Sequence, residues 1–366
     1  MARIIDTIAV VGLGKVGELV GTLLHAAGFD VTGIDLLMPE DVPFKVAPVD
    51  ASDPAALGVA LDRVDAVISC LPFHLNRVVA EAAAASSLHY FDLTEDVPTT
   101  ARVRELAAGV PSVVAPQCGL APGLIAIVGS SLTAGFDDLR SIQLRVGALP
   151  QHPTGMLGYA FIWSPEGVVN EYLNDCEVLR EGRRKIVPAM SEEEAVVISG
   201  TRLEAFLTSG GLGTMCETFE GRVERLDYKT LRYPGHLDLV RFFFDELLLR
   251  QRRQLAGEIL VHAKPPVDDD IVYLYAAVEG RIRGELFRRQ HVRRWLPRVI
   301  EGRVWRAISW TTACSACGVV ELIADGVLSP RGLLRQEEIP LDALLGTKSG
   351  AHLSDEGSEA SLPHAT

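Results

Sequence analysis

Three clusters of side chains in this chain have types and spacings that could do chemistry. The first is Gly12, Gly14 and Gly17 in VVGLGKVG, which follow an apolar run and open a helical pattern. In that setting the first glycine allows a tight turn and the second lets a pyrophosphate approach the backbone. The third lets helix and strand pack closely, and the helix N-terminus offers N–H groups and partial positive charge. A glycine-rich turn without a ligand is the alternative. The second cluster is Asp92, Glu95 and Asp96 in DLTED, carboxylates able to accept a proton or steady a developing cation. The third is DYKTLRYPGH, Asp227 to His236, which gathers two cations, two tyrosines and a histidine around a Pro-Gly turn.

Around the glycines, Lys15 and Val16 complete the turn, and Asp35 stands 18 positions after Gly17 at the end of the next apolar run. A carboxylate there accepts from a ribose 2′-hydroxyl and repels a 2′-phosphate. The following LLMPE supplies no Arg or Lys, so NAD is expected rather than NADP. Asp50 and Ala51 close a third strand, where Asp50 could meet the adenine amino group or merely make a turn. Ser69, Leu71 and Pro72 end a fourth strand, at the carboxyl edge where the crevice of such a sheet lies.

In DLTED the residue taken as general base is Asp96, with a helix cap as the competing reading. If DYKTLRY is a regular strand, Tyr228, Thr230 and Arg232 share one face, and Asp227, Lys229, Leu231 and Tyr233 the other. Arg232 is the better carboxylate partner, since its planar fork binds bidentately and stays charged. Lys229 is then structural or paired with an acid, and His236, at the start of a helix, is a candidate proton relay near neutral pH. Glu171 in SPEGVVNEY could meet a substrate ammonium, or serve a surface or dimer role.

These residues need elements to hold them. From Thr7 the chain alternates continuous apolar runs with helical patterns, the signature of a doubly wound parallel sheet over residues 1–125. From 126 to 310 the apolar residues alternate singly, as in RSIQLRVGAL and IVYLYAAVEGRI, so a second α+β domain on a mostly antiparallel mixed sheet is expected. A helix over 311–345 would return to the first domain, and 346–366 reads as a disordered tail. Cys314 and Cys317 have metal-site spacing, but their small-residue helix reads as packed core rather than a metal site. A formal charge of −13 argues against nucleic-acid or anionic-membrane partners, and RRQHVRR reads as a solvated face. The apolar runs fall short of the ~20 residues of a membrane span, and no cleavable leader is apparent, so a cytoplasmic location is expected.

The motifs GLGKVG, DLTED, PQCGLAPGL, SPEGVVNEYL, EAFLTSGGLGT, DYKTLRYPGH and GLLRQEEIPLDALL together resemble the saccharopine dehydrogenase family, most of all its lysine 6-dehydrogenase branch. The resemblance implies NAD-dependent oxidation of the ε-carbon of lysine or a close basic amino acid, with ammonia release. It also implies a homodimer or higher homo-oligomer formed through the second domain, and Gly119 of the GLAPG turn beside the nicotinamide. Arg232 would lie near a substrate carboxylate, with Tyr233 in the substrate site. Two alternatives stay open: a saccharopine- or carboxynorspermidine-type reductase, and a nucleotide-sensing protein without turnover.

Overall fold

The computed structural model describes residues 3–354, which divide into two compact units. The first is built from residues 3–134, Gly210–Thr218 and Thr311–Ser354, and the second from Gly135–Ser209 and Phe219–Trp310.

In the first unit the elements follow one another as β1 (Thr7–Val11), α1 (Gly17–Ala27), β2 (Asp30–Asp35), β3 (Lys45–Pro48), α2 (Pro54–Ala60), β4 (Ala66–Ser69), α3 (Phe73–Ala85), β5 (His89–Asp92), α4 (Val97–Ala107), β6 (Val113–Ala115) and α5 (Ile125–Ser131). The strands line up as β6-β5-β4-β1-β2-β3, each pair parallel. Their continuous apolar character follows from burial on both faces: Ile8, Ala9, Val10, Val11, Val67 and Ile68 have no exposed surface. Helix starts and stops are locally encoded. Asp53 accepts from the N–H groups of Ala55 and Ala56 to open α2, and Gly28, at φ +96°, closes α1. The order reverses between β1 and β4, so the carboxyl ends of those strands form the topological switch point where such sheets bind ligands.

The second unit begins with β7 (Asp138–Pro150) and α6 (Pro165–Leu173), then β8 (Cys176–Arg180), β9 (Arg183–Val187), β10 (Glu194–Ile198) and β11 (Thr201–Leu207). After α7 (Met215–Phe219) come β12 (Val223–Arg232), α8 (His236–Arg241), α9 (Arg253–Ala263), β13 (Asp270–Ile282), β14 (Glu285–Trp295) and the small ribbon β15 (Arg298–Ile300) and β16 (Arg303–Trp305). Among the described residues an eight-stranded sheet runs β10-β11-β12-β7-β13-β14, with β8 beside β12 and β9 beside β8. All pairs are antiparallel except β12 with β7, which makes this the expected mixed sheet. Its buried core includes Phe206, Leu231 and Tyr273 together with side chains of α6, α8 and α9. The apolar pattern after His236 is not one helix: α8 passes into a π-turn at Phe242–Glu246, and Leu248 breaks it at φ +57°.

The chain ends in α10 (Ala307–Ala324), β17 (Gly332–Leu333), which adds a seventh parallel strand beside β6, α11 (Leu341–Leu345) and α12 (Ala351–Ser354). Cys314 and Cys317 are fully buried in α10. Two expectations change here. Residues 346–354 are ordered, because Glu321 of α10 accepts from the N–H groups of Lys348 (2.8 Å) and Ser349 (3.0 Å) and Leu353 is buried. Residues 355–366 lie outside the described residues. In addition, Gly210–Thr218, expected within the second domain, belongs to the first unit. Glu337 holds it through the hydroxyls of Thr214 (2.8 and 2.9 Å) and Thr218 (2.6 Å), and Glu217 pairs with Arg104 (2.7 Å).

Candidate active site

In the first unit the three glycines form a cradle. Gly12 has φ +91°, and a Cβ there would lie 2.9 Å from Leu71 and 3.0 Å from the Cys70 backbone. A Cβ on Gly17 would sit 1.8 Å from the Gly12 carbonyl, so α1 can approach β1 only without a side chain. Gly14 is exposed and its Cβ would meet nothing within 4 Å. That is open room for a ligand rather than a packing need. Beside it, α1 starts at Gly17 after Val16, whose side chain makes no capping hydrogen bond, with Lys15 exposed next to it.

Asp35 ends β2 with Oδ2 accepting from the Leu13 N–H (2.6 Å) and Oδ1 from the Leu37 N–H (2.9 Å). This fixes the carboxylate beside the glycine turn while leaving lone pairs for ribose hydroxyls. The residues that follow, Leu36, Leu37 and Met38, are 65%, 80% and 53% exposed, an uncharged apolar rim. Glycine cradle, uncapped helix and fixed carboxylate together fit a dinucleotide. Asp50 is taken by a turn, accepting from the Ser52 N–H (2.9 Å) and hydroxyl (2.7 Å), with Ala51 buried behind it. Ser69 is buried and donates to Asn76 Oδ1 (2.6 Å), so its hydroxyl positions α3 rather than facing a ligand. Leu71 is partly exposed against Gly12, and Pro72 is exposed.

The DLTED carboxylates separate by environment. Asp92 is fully buried and accepts from the N–H groups of Gln117 (2.9 Å) and Thr94 (3.0 Å) and from the Tyr90 hydroxyl (2.9 Å). Burial outweighs those bonds and pushes its carboxyl up to about 6. Asp96, chosen from sequence as the base, caps α4: its Oδ2 accepts from the N–H (2.9 Å) and hydroxyl (2.6 Å) of Thr99. A carboxylate occupied by a helix start is a poor general base. Glu95 differs: burial, with the nearby charges of Asp96 and Asp92, pushes its carboxyl up to about 7. A group poised there can take and give a proton at neutral pH. Sequence could list Glu95 but not rank it, because the ranking comes from burial. Gly210 packs on it, since a Cβ there would lie 2.5 Å from the Glu95 carbonyl. Gly119 is buried, within reach of Leu93 and Thr312.

In the second unit β12 sorts its charges by face. On one face Lys229 pairs with Glu194 (3.0 Å), and Arg145 bridges Glu194 (2.6 Å) and Asp227 (2.7 Å). Burial pushes the Asp227 carboxyl up, but the Arg145 and Arg180 guanidinium groups outweigh it and hold it below the usual range. On the other face Arg232 is almost wholly buried between the rings of Tyr159 (4.7 Å) and Tyr172 (5.5 Å). Its Nε donates to Tyr172 Oη (2.7 Å), and Nη1 donates to the Thr230 hydroxyl and the Leu231 carbonyl (2.9 Å). Nη2 stands 3.9 Å from Glu171, a buried carboxylate one residue before Tyr172 on α6. Ser164 and Pro165 open that helix, Ser164 accepting from the Gly167 N–H (3.0 Å).

His236 does not fill the role expected from sequence. It is 1% exposed, and burial, with the Arg232 charge beside it, pushes the imidazole down to about 3. It therefore stays neutral at neutral pH and cannot act by titrating there. Tyr233 is half-buried and donates to the Pro150 carbonyl (2.9 Å), a bond that anchors the end of β7. Among the described residues no group of three or more His, Cys, Asp or Glu could hold a metal ion.

Comparison with known proteins now places these features. Residues 8–111 match the model of the saccharopine dehydrogenase NADP-binding domain, and residues 119–348 that of the saccharopine dehydrogenase C-terminal domain. The chain belongs to the saccharopine dehydrogenase family. Saccharopine dehydrogenase [NADP(+), L-glutamate-forming] of Schizosaccharomyces pombe is 27% identical over 38% of this chain and 32% of its own length. The mitochondrial alpha-aminoadipic semialdehyde synthase of Rattus norvegicus is 29% identical over 34% of this chain and 14% of its own. The matches thus span about a third or less of these curated relatives. Among solved structures, apo saccharopine dehydrogenase (L-Glu forming) from Saccharomyces cerevisiae superposes with a TM-score of 0.73 at 18% identity, covering 93% of this chain and 96% of that one, a likeness of fold. For this member of the saccharopine dehydrogenase family, the Rossmann-like parallel sheet and the mixed-sheet domain are the family's architecture.

Proposed function

We propose that this protein oxidises the ε-carbon of L-lysine, or of a close basic amino acid, with NAD, yielding the semialdehyde or its cyclic imine and ammonia. The observation that carries the reading is the buried pair of Arg232 Nη2 and the Glu171 carboxylate, 3.9 Å apart. A cation and an anion so placed suit the carboxylate and ammonium of an amino-acid head group. Gripping that end leaves the distal amine as the reacting group. A bound nicotinamide supplies hydride acceptance at C4. The ε-ammonium must first give up a proton, for which Glu95 is the candidate acceptor; the neutral amine then loses hydride to leave an iminium, which water hydrolyses to aldehyde and ammonia. Asp35, with the uncharged Leu36–Met38 rim, supports NAD over NADP.

A second reading is favoured by the relatives' names: a reductase that joins an aminoadipate-type semialdehyde to an amino acid with NADPH. A panel of amino acids with NAD or NADP, followed at the absorbance of the reduced cofactor, separates the two. Reduced-cofactor growth with lysine and NAD supports the first reading. NADPH consumption that needs both semialdehyde and glutamate replaces it with the second. Nucleotide binding with no turnover on either arm refutes both.

A further inference from the structure

The hydrogen bonds behind Arg232 have only one consistent direction. The Leu157 carbonyl can only accept, so His236 Nδ1, 2.9 Å from it, carries the hydrogen. The ring is enclosed by Phe206, stacked at 14° and 6.4 Å, and by Tyr159 edge-on at 5.3 Å, beside a guanidinium. A second cation in that enclosure would be strongly disfavoured, so the imidazole is neutral and Nε2 is an acceptor. Tyr172 Oη lies 2.9 Å from Nε2 and therefore donates to it. The same oxygen accepts from Arg232 Nε at 2.7 Å. Proton polarity thus runs one way, from Arg232 through Tyr172 and His236 to the Leu157 carbonyl.

This arrangement consumes Nε, and Thr230 with Leu231 consume Nη1, so the guanidinium cannot roll about its own axis. Nη2 is the edge left facing Glu171. We propose that Tyr172 and His236 are positioning residues that lock the roll of Arg232, so that Nη2 and Glu171 stay spaced for the carboxylate and ammonium of one amino-acid head group. The proposal rests on the amino-acid reading above, but the lock itself can be measured apart from it.

The test compares Tyr172→Phe, His236→Leu and His236→Gln with the wild type. His236→Gln keeps an acceptor within reach of Tyr172, and His236→Leu does not. Tyr172→Phe and His236→Leu are expected to raise KM for lysine roughly ten- to hundredfold, the factor carried by one charged hydrogen bond. kcat and NAD affinity should stay near the wild-type values, and His236→Gln should recover much of the loss. The KM or inhibition constant of 1,5-diaminopentane, which lacks the carboxylate, should hardly move. Equal loss for both amines, or His236→Gln no better than His236→Leu, would overturn the proposal. Independently of turnover, ¹⁵N spectra of histidine-labelled protein, with His236→Gln used to assign the signal, should show the Nδ1–H tautomer near neutral pH. An Nε2–H tautomer, or a ring that protonates around pH 6, refutes the lock whatever the substrate. The expected tautomer in a protein inert toward every amino acid would sink the functional reading and leave the lock standing.

Discussion

Glu95 and Arg232 are the residues on which the chemistry turns, and both make predictions of their own. If Glu95 is the proton acceptor, kcat/KM should rise with pH through a midpoint near 7, and Glu95→Gln should abolish that limb and lower kcat at least tenfold. A pH–rate profile that keeps its limb in the variant would remove Glu95 from the mechanism. The same shift has a stability consequence. Its carboxyl is raised in the fold from the usual 4.5 to about 7, so it contributes fully below pH 4.5 and the contribution is lost as pH rises toward 7. Denaturant midpoints across that window should fall less in Glu95→Gln than in wild type. For Arg232, the Lys variant keeps a charge but loses the planar fork. KM for lysine should rise roughly tenfold or more, with NAD affinity unchanged; parallel loss of both would sink the clamp. The sequence showed the face on which Arg232 lies, because strand alternation is a two-residue rule. It could not separate Glu95 from Asp96, since a capping acid and a half-buried, poorly solvated one differ only in where the next turn of backbone runs.

At the scale of elements, the glycine turn and the Gly210–Thr218 segment differ in how far sequence revealed them. The turn was legible, as strand, glycine spacing and helix are contiguous. Its glycines are not equivalent, however. Gly17→Ala places a Cβ 1.8 Å from the Gly12 carbonyl and should lose nucleotide binding along with several degrees of Tm, whereas Gly14→Ala should keep the wild-type Tm. Thermal melts with and without NAD check both, and equal destabilisation by the two would contradict the cradle. The Gly210–Thr218 segment was not legible as part of the first unit, because its anchor Glu337 is more than a hundred residues away. Glu337→Ala leaves two threonine hydroxyls without their buried acceptor and should cost about 1–3 kcal/mol in denaturant unfolding. Residues 346–354 are illegible for the same reason: their sequence is mostly polar and small, and what orders them is Glu321 on α10.

At the scale of the whole molecule, the first unit carries the nucleotide features and the second the amino-acid features, and the family match covers both. Fold class was readable, since continuous apolar runs in the first part of the chain give way to single alternation in the strands of the second unit. Cofactor choice depends on a single strand end. Asp35→Gly should weaken NAD and raise relative use of NADP, as judged by the ratio of kcat/KM values; an unchanged ratio would mean that Asp35 does not touch the ribose. The central claim is that the head group is gripped and the distal amine reacts. Its most direct test is to incubate the protein with NAD and L-lysine carrying ¹⁵N at either the ε or the α position, and to follow the released ammonium. The account predicts labelled ammonium from ε-labelled lysine and none from α-labelled lysine, with one NADH formed per ammonium. Release of the α label, or no release with either substrate, would contradict it.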